Sequence, residues 1–313
     1  MNDYTLKIGD CQTVLSSFGE NFFHSCITDP PYGMGMDHWD HSVPNVDIWR
    51  EVFRTLRPGA FCLAFCSPEL YHRLACNVED AGFIIKDQIM WMTTTKMPKH
   101  NRLKPAHEPI VVAQKPYEGS LQSNFEKWGC GLIDIENTRV PWEKEPPKGW
   151  IKGGSKRRVF GGVQNKACDI ETKEEVWIDP STNEPIVKEL TGGNDAGRYP
   201  SNIIGEVEPE HQKYFYAPRA TRKEKGGDND HPTVKPVDLM AYLIKIYSPI
   251  NSTVLDPFCG SGSTGVAAIR ENRDFVGIDL SEHYIEITTK RCEDEKQKQN
   301  TSTPLNPLID AFE

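Results

Sequence analysis

The first third of the chain alternates strand-like and helix-like patterns of apolar and polar positions. "YTLKIGD" (4–10) reads as a short strand ending in a turn, and "CQTVLSSF" (11–18) has helical spacing. "HSCITD" (24–29) reads as a buried strand that runs into a double proline. A helix over "VDIWREVFRTLRPG" (46–59), closed by Pro-Gly, precedes a strand at "AFCLAFC" (60–66). A helix at "PELYHRLACNVEDAGF" (68–83) and a strand at "IIKDQIMWM" (84–92) follow, then "RLKPAH" and a strand at "EPIVVAQK" (108–115). Strands separated by helical segments predict a parallel sheet covered on both faces.

Between 116 and 230 glycine, proline and charged residues dominate. Short pieces such as "GLIDIENTRVPW", "EVWIDP" and "RYPSNII" are interrupted by turns. That length exceeds a simple loop and predicts an inserted region with some β-structure. The α/β rhythm then returns. "HPTVKPVDLMAYLIKIYSP" predicts a helix after a turn, "STVLDPF" a strand, "CGSGSTGVAAIREN" a glycine turn opening a helix, and "DFVGIDL" a strand. "SEHYIEITTKRCEDEK" (281–296) is the final helix, and the tail beyond it is expected to fray.

Composition narrows the class. The longest uncharged apolar stretch, "GAFCLAFCSP", is far short of the roughly 20 residues a membrane span requires. The N-terminus has no basic-then-apolar leader, so a cytoplasmic location without membrane association is expected. The nine cysteines include no C-x-x-C pair, and several lie in apolar runs, which favours reduced core thiols over disulfides or zinc. A formal charge of −9 disfavours a uniformly basic nucleic-acid binder. The charge is uneven, however: Lys144, Lys148, Lys152, Lys156, Arg157 and Arg158 lie in one stretch with a single acidic residue, Glu145. A solvated loop and a phosphate-binding surface both fit that stretch.

Two stretches carry chemistry. In "VLDPFCGSGSTGVAAI" (254–269) the glycines 260, 262 and 265 sit between a strand and a helix. The first two permit close backbone approach to a ligand and the third permits tight helix–strand packing. Asp279 ends the next strand, 23 residues beyond Asp256, where a carboxylate can accept from ribose hydroxyls. The loop lacks the lysine of a P-loop, and an acidic strand end repels phosphate. Asp256 and Asp279 therefore favour S-adenosyl-L-methionine, with its ammonium, sulfonium and ribose diol, over a dinucleotide; a packing turn with two solvated aspartates is the plain alternative.

The second stretch is "ITDPPYGMG" (27–35). Two prolines cannot continue a central strand, and they stiffen a loop at its C-terminal edge. The loop offers the Asp29 carboxylate and the Pro30 carbonyl as fixed acceptors and Tyr32 as a flat surface. That set fits a base carrying an exocyclic amine, with Asp29 stabilising positive charge as the nitrogen attacks a sulfonium methyl. In duplex nucleic acid such a base must first be flipped out, where Tyr32 would stack on it. A polar turn is the bland alternative. His107 and His231 have no second ligand at metal spacing and suit turn or packing roles. Trp39 and Trp91 suit packing or base stacking.

"TDPPYGMG", with "HPTVKPVDLM" and "VLDPFCGSGSTGVAAIRENRDFVGIDLSEHYIEI" downstream, resembles the amino-methylating DNA methyltransferases of the permuted (β) group, in which the catalytic motif precedes the cofactor motif. "KIGDCQTVL", "RPGAFCLAFCS" and "KPAHEPIVVAQKP" are similar to its connecting motifs. The resemblance covers about 1–115 and 210–292. It implies a doubly wound, mostly parallel α/β sheet of Rossmann-like methyltransferase type with permuted motif order and an inserted target-recognition segment. The implied divisions are a catalytic half at 1–115, the insertion at 116–230, a cofactor-binding half at 231–292 and a tail at 293–313. Asp29, Pro30 and Tyr32 match the catalytic motif. Asp256, Phe258, Gly260, Gly262, Ser263, Thr264 and Asp279 match cofactor positions, with Asp10 and Lys235 in segments bordering that pocket. Lys99, His100, Arg102, Lys156, Arg157 and Arg158 are candidate phosphate contacts. The implied partner is duplex DNA, and a homodimer is left open. An aspartate at position 29 resembles adenine-N6 enzymes more than cytosine-N4 enzymes, where serine is usual. The expected activity is adenine-N6 methylation of DNA; cytosine-N4 methylation, RNA methylation and a non-catalytic nucleic-acid-binding relative are the alternatives. No acidic-acidic-lysine nuclease pattern appears outside these motifs.

Overall fold

The structure, a computed structural model, describes residues 3–35, 40–92, 106–140, 175–178, 185–188, 199–205, 229, 231 and 233–302. It forms two compact units, Met1–Thr138 with Ser201–Glu313, and Arg139–Pro200. The first holds an eight-stranded sheet. In chain order its elements are β1 (Tyr4–Ile8), α1 (Cys11–Leu15), β2 (Phe23–Thr28), α2 (Val46–Thr55), β3 (Leu56–Phe65), α3 (Tyr71–Asp80), β4 (Ile84–Met92), β5 (His107–Gln114) and α4 (Leu121–Trp128). In the second unit β6 (Glu175–Ile178) pairs antiparallel with β7 (Pro185–Lys188). The first unit resumes with β8 (Ile203–Gly205), α5 (Val237–Tyr247), β9 (Thr253–Asp256), α6 (Ser263–Arg270), β10 (Asp274–Asp279) and α7 (Glu282–Ser302).

The sheet order is β1-β10-β9-β2-β3-β5-β4-β8. All pairings are parallel except those of β5, which runs against both β3 and β4. This is a Rossmann-like α/β architecture, mostly parallel and covered by helices. The period-2 alternation of the strands divides the core between the two faces. Phe61, Leu63 and Phe65 of β3 pack with α5 and α6 residues on one face, while Cys62, Ala64 and Cys66 pack with α2 and α3 residues on the other. Because β3 is buried on both sides it reads as a continuous apolar run rather than an alternating one.

Three boundaries differ from the sequence expectation. Helix α2 stops at Thr55, and Pro58-Gly59 lie inside β3 instead of ending the helix. Gly59 has φ +83°, and a Cβ there would meet the Asn124 side chain at 2.4 Å. Asn124 of α4 donates to the Pro58 and Cys130 carbonyls, so a helix from the expected insertion is fastened to β3. "RYPSNII" likewise contributes β8 to the main sheet, beside β4. The final helix continues to Ser302. Among the described residues no helix is long and apolar enough to cross a membrane.

Candidate active site

The central neighbours β2 and β9 end side by side, and their chains cross over to opposite sides of the sheet. This is the switch point at which open α/β sheets leave a crevice beyond the strand ends. A cavity of about 720 Å³ opens there, bordered by Asp10 after β1, Asp29 and Tyr32 after β2, Asp256 at the end of β9 with the glycine loop that follows it, and Asp279 at the end of β10. The antiparallel course of β5 brings its first residues, His107 and Glu108, to this same edge.

Asp29 is the first residue beyond β2. Its Oδ1 accepts from the Tyr32 hydroxyl at 2.6 Å, and its Oδ2 accepts from the Lys235 ammonium. The Tyr32 hydroxyl also lies 3.4 Å from Glu108 Oε2, and Lys235 Nζ lies 3.7 Å from the same oxygen. Lys235 and Glu108 are only 7% and 8% exposed, while Asp29 and Tyr32 are half-buried and border the cavity, so the four side chains form a polar cluster at the cavity wall. The Lys235 ammonium faces the Tyr32 ring at 5.3 Å and the Phe65 ring at 5.2 Å. Burial pushes the Asp29 carboxyl up, and the positive charge of Lys235 opposes that shift. Burial, reinforced by Asp29 and Glu108, drives the Tyr32 phenol well above its ordinary range, so it remains a neutral donor.

The loop carrying Asp29 is fixed from beyond itself. Gly33 N–H and Met34 N–H donate to the two oxygens of Asp40 at 2.6 and 3.1 Å. Gly33 has φ +69°, and a Cβ there would lie 2.9 Å from Ser42 Cα. A left-handed turn packed on backbone requires glycine, which explains Gly33 after Tyr32.

Asp256 is 2% exposed. Its Oδ1 accepts from the Thr28 hydroxyl at 2.7 Å and Phe258 N–H at 3.1 Å, and its Oδ2 from the Thr264 hydroxyl at 2.6 Å. No cation pairs with it among the described residues. Burial pushes its carboxyl up to about 6, against these hydrogen bonds. Because the folded-state value exceeds that of the unfolded chain, the group favours folding below pH 4 and that contribution is lost as pH rises through about 6. The loss amounts to about 3 kcal/mol at 1.36 kcal/mol per pH unit. Urea unfolding of wild type and Asp256→Asn across pH 4–7 should show the wild type losing that much relative to the variant; a constant difference would contradict it.

The glycine loop is held by the C-terminal helix. Thr288 donates to the Gly260 carbonyl at 2.8 Å, and Arg291 donates to the Ser261 carbonyl. Gly260 has φ +49°, with a Cβ position 2.7 Å from His231 Nε2, and Gly262 has φ +81°, with a Cβ position 2.5 Å from Thr288 Cγ2. Gly265 would place a Cβ 2.7 Å from Phe275, the close helix–strand contact expected of the third glycine. At the first two, protein packing demands glycine in addition to any ligand. Asp279 Oδ2 accepts from Gly260 N–H at 2.8 Å and Oδ1 from Ser281 N–H at 2.9 Å. Asp10 caps α1, accepting from Thr13 N–H at 2.9 Å.

The structure thus gathers Asp10, Asp29, Pro30, Tyr32, Lys235, Asp256, Phe258, Gly260, Gly262, Ser263, Thr264 and Asp279 around one cavity. Trp91 is buried against Phe65, and the His231 ring contacts Tyr284 at 4.6 Å, both packing positions. Lys99, His100, Arg102, Lys156, Arg157, Arg158 and Trp39 lie outside the described residues. Sequence reasoning missed Glu108, Thr28, Asp40, Thr288 and Arg291. For Glu108 the available signal was an acidic residue opening an otherwise apolar strand.

A group that carries an ammonium and a sulfonium fits this lining on two observations. Asp256 is a buried carboxylate on the cavity wall with no paired cation among the described residues, and the Ser263 hydroxyl on the same wall is buried with no hydrogen-bond partner among them.

The family model described as DNA methylase matches residues 23–290. The Type II methyltransferase M.HindIII of Haemophilus influenzae is 24% identical over 90% of this chain and 93% of its own length. TTHA0409 of Thermus thermophilus, solved in complex with S-adenosyl-L-methionine, is 20% identical with a TM-score of 0.52, over 93% of this chain and 94% of that one. The cytosine-N4-specific PvuII DNA methyltransferase is 14% identical with a TM-score of 0.56, over 96% and 92%. Both likenesses are of fold.

Proposed function

The chain belongs to the DNA methylase family of N6 and N4 amino methyltransferases, and from that premise we propose that it methylates adenine N6 in duplex DNA at a specific sequence, as a member of the permuted (β) group. The observation that carries this reading is the Asp29 carboxylate, fixed by Tyr32 and Lys235 one strand away from Asp256, which has no paired cation among the described residues. S-adenosyl-L-methionine, when bound, supplies the electrophilic methyl group.

The chain's own residues account for the rest. Asp256, Phe258, Gly260, Gly262, Ser263 and Thr264 would hold the amino-acid end of the cofactor, and Asp279 its ribose, with Asp10 and Lys235 at the borders. An exocyclic amine is a poor nucleophile because its lone pair is delocalised into the ring. Accepting its N–H bonds at Asp29 and at the Pro30 carbonyl draws the nitrogen toward tetrahedral geometry, and the Asp29 charge stabilises the cation that develops. Tyr32, oriented by its bond to Asp29, presents the face on which a flipped base stacks. No covalent enzyme intermediate and no histidine base are required.

Residues 116–230 are proposed as the target-recognition insertion, between a catalytic half at 1–115 and a cofactor half at 231–292. Its basic stretch with Lys156, Arg157 and Arg158, and Lys99, His100 and Arg102 ahead of β5, would contact phosphates. Adenine is favoured by aspartate at position 29. The fold shared with a cytosine-N4-specific enzyme keeps N4-methylcytosine as the second reading, because both bases present the same kind of amine.

Incubation of the protein with isotopically labelled methyl donor and either unmethylated bacterial DNA or total RNA tests the substrate class. Label in DNA alone is expected. Label in RNA alone would overturn the DNA reading, and cofactor binding with no label in either would favour a binding-only protein.

A further inference from the structure

We infer that Thr28 is a positioning residue for the methyl donor: its hydroxyl crosses from β2 to hold the Asp256 carboxylate in the orientation that receives the cofactor's ammonium. This rests on the reading of Asp256 as a group that holds the amino-acid end of S-adenosyl-L-methionine.

Thr28 is the last residue of β2 and is fully buried. A buried hydroxyl costs stability unless it is hydrogen-bonded, so a valine of nearly the same shape would serve better there if packing were all that mattered. The Thr28 hydroxyl donates to Asp256 Oδ1 at 2.7 Å. Strands β2 and β9 pair at Ser25↔Val254 and Cys26↔Leu255, and this side-chain bond joins them beyond those pairs, at the edge where Asp256 borders the cavity.

An ionised carboxylate only accepts hydrogen bonds, at about four lone-pair positions. Thr28 and Phe258 N–H fill Oδ1, and Thr264 takes one position on Oδ2. The protein therefore satisfies Oδ1 and leaves Oδ2 a position for a cation. Without the Thr28 hydroxyl, Oδ1 keeps the Phe258 N–H alone, and the group is less firmly aimed. Three converging donors also favour the ionised form over the neutral acid, which binds an ammonium poorly.

The groups facing Asp256 are Cys26 and Thr28 on β2, Asp29 just beyond it, Phe258 N–H and Cys259 in the glycine loop, and Thr264 at the start of α6. Burial drives both thiols well above their ordinary range, which keeps them neutral, and Asp29 is common to every variant.

The test is calorimetric binding of S-adenosyl-L-methionine from pH 6.5 to 8.5 by wild type, Thr28→Val, Thr28→Ser, Thr28→Ala and Asp256→Asn. Losing one hydrogen bond to an ionised carboxylate raises its titration by about one to two pH units. Thr28→Val should therefore weaken binding about tenfold near pH 6.5 and about twofold or less at pH 8.5, while Thr28→Ser stays close to wild type. Thr28→Ala set against Thr28→Ser repeats the comparison with side chains that differ only in the hydroxyl, which covers a valine variant that fails to fold. The cofactor's own titration is shared by every variant and cancels in each ratio. In the ligand-free protein, the infrared carboxylic-acid band that disappears in Asp256→Asn should titrate higher by the same interval in Thr28→Val and Thr28→Ala, and hold its place in Thr28→Ser. Binding equal to wild type, or weakened by one factor at every pH with the band in place, would overturn the inference. A wild type that binds no cofactor, or an Asp256→Asn variant that binds it as tightly as wild type, would instead overturn the reading of Asp256 beneath it.

Discussion

Replacing Asp29 with alanine is expected to lower methyl transfer about 10³-fold or more while leaving cofactor affinity within a few-fold. The residue supplies both an acceptor for the amine and the charge that offsets the cation on nitrogen, and loss of one preorganised electrostatic group at a reacting centre typically costs about 10²–10³ in turnover. The cofactor side of the cavity is built by Asp256 and the glycine loop, which Asp29 does not hydrogen-bond. The fold should survive because Lys235 keeps Glu108 as a neighbour. Asp29→Asn separates geometry from charge: the amide can still accept from Tyr32 but carries no charge, so it should recover little of the rate. Rapid-quench turnover beside calorimetric cofactor binding measures both effects, and parallel loss of both would show that Asp29 shapes the whole pocket.

Gly262→Ala should have the second largest effect, on stability and cofactor affinity together. Position 262 is left-handed at φ +81°, where an L-residue costs roughly 1–2 kcal/mol. The added Cβ would meet Thr288 Cγ2 at 2.5 Å, and overpacking of that kind costs about 1–3 kcal/mol. Thr288 cannot yield freely, because its hydroxyl holds the Gly260 carbonyl at 2.8 Å. Destabilisation of about 2–5 kcal/mol is expected, with cofactor affinity reduced at least about tenfold as the loop shifts. Urea unfolding and cofactor titration read the two effects separately. A stable variant with unimpaired binding would mean that the loop accommodates a side chain.

Much of this arrangement was legible because it follows from local pattern. Leu63 and its neighbours announce a strand buried on both faces, Pro30-Pro31 announce a stop at a strand end, and the glycines after Asp256 announce a turn opening a helix. What was not legible depends on partners distant in sequence. Pro58-Gly59 look like a helix terminus until Asn124, 66 residues away, is seen fastened to the Pro58 carbonyl. Glu108 looks like an ordinary residue at a strand start; only the antiparallel direction of β5 carries it to the edge where Asp29 lies, and no periodicity encodes that direction. Lys235 sits 206 residues from Asp29, and its motif indicates a pocket border but not an ion pair. Gly260 and Gly262 were readable as glycines that a loop requires, yet the side chains enforcing them, His231 and Thr288, come from separate segments.

The most direct test of the central claim, that Asp29 and its cluster methylate a DNA amine, is made in a methylation-deficient bacterial host. Its genomic DNA, after expression of wild type or Asp29→Ala, is digested to nucleosides and analysed by mass spectrometry, with sequencing of the modified positions. N6-methyladenine confined to one short sequence, present with wild type and absent with Asp29→Ala, is the predicted result. N4-methylcytosine would keep the mechanism and overturn the choice of base, and equal methylation with Asp29→Ala would contradict the account at its centre.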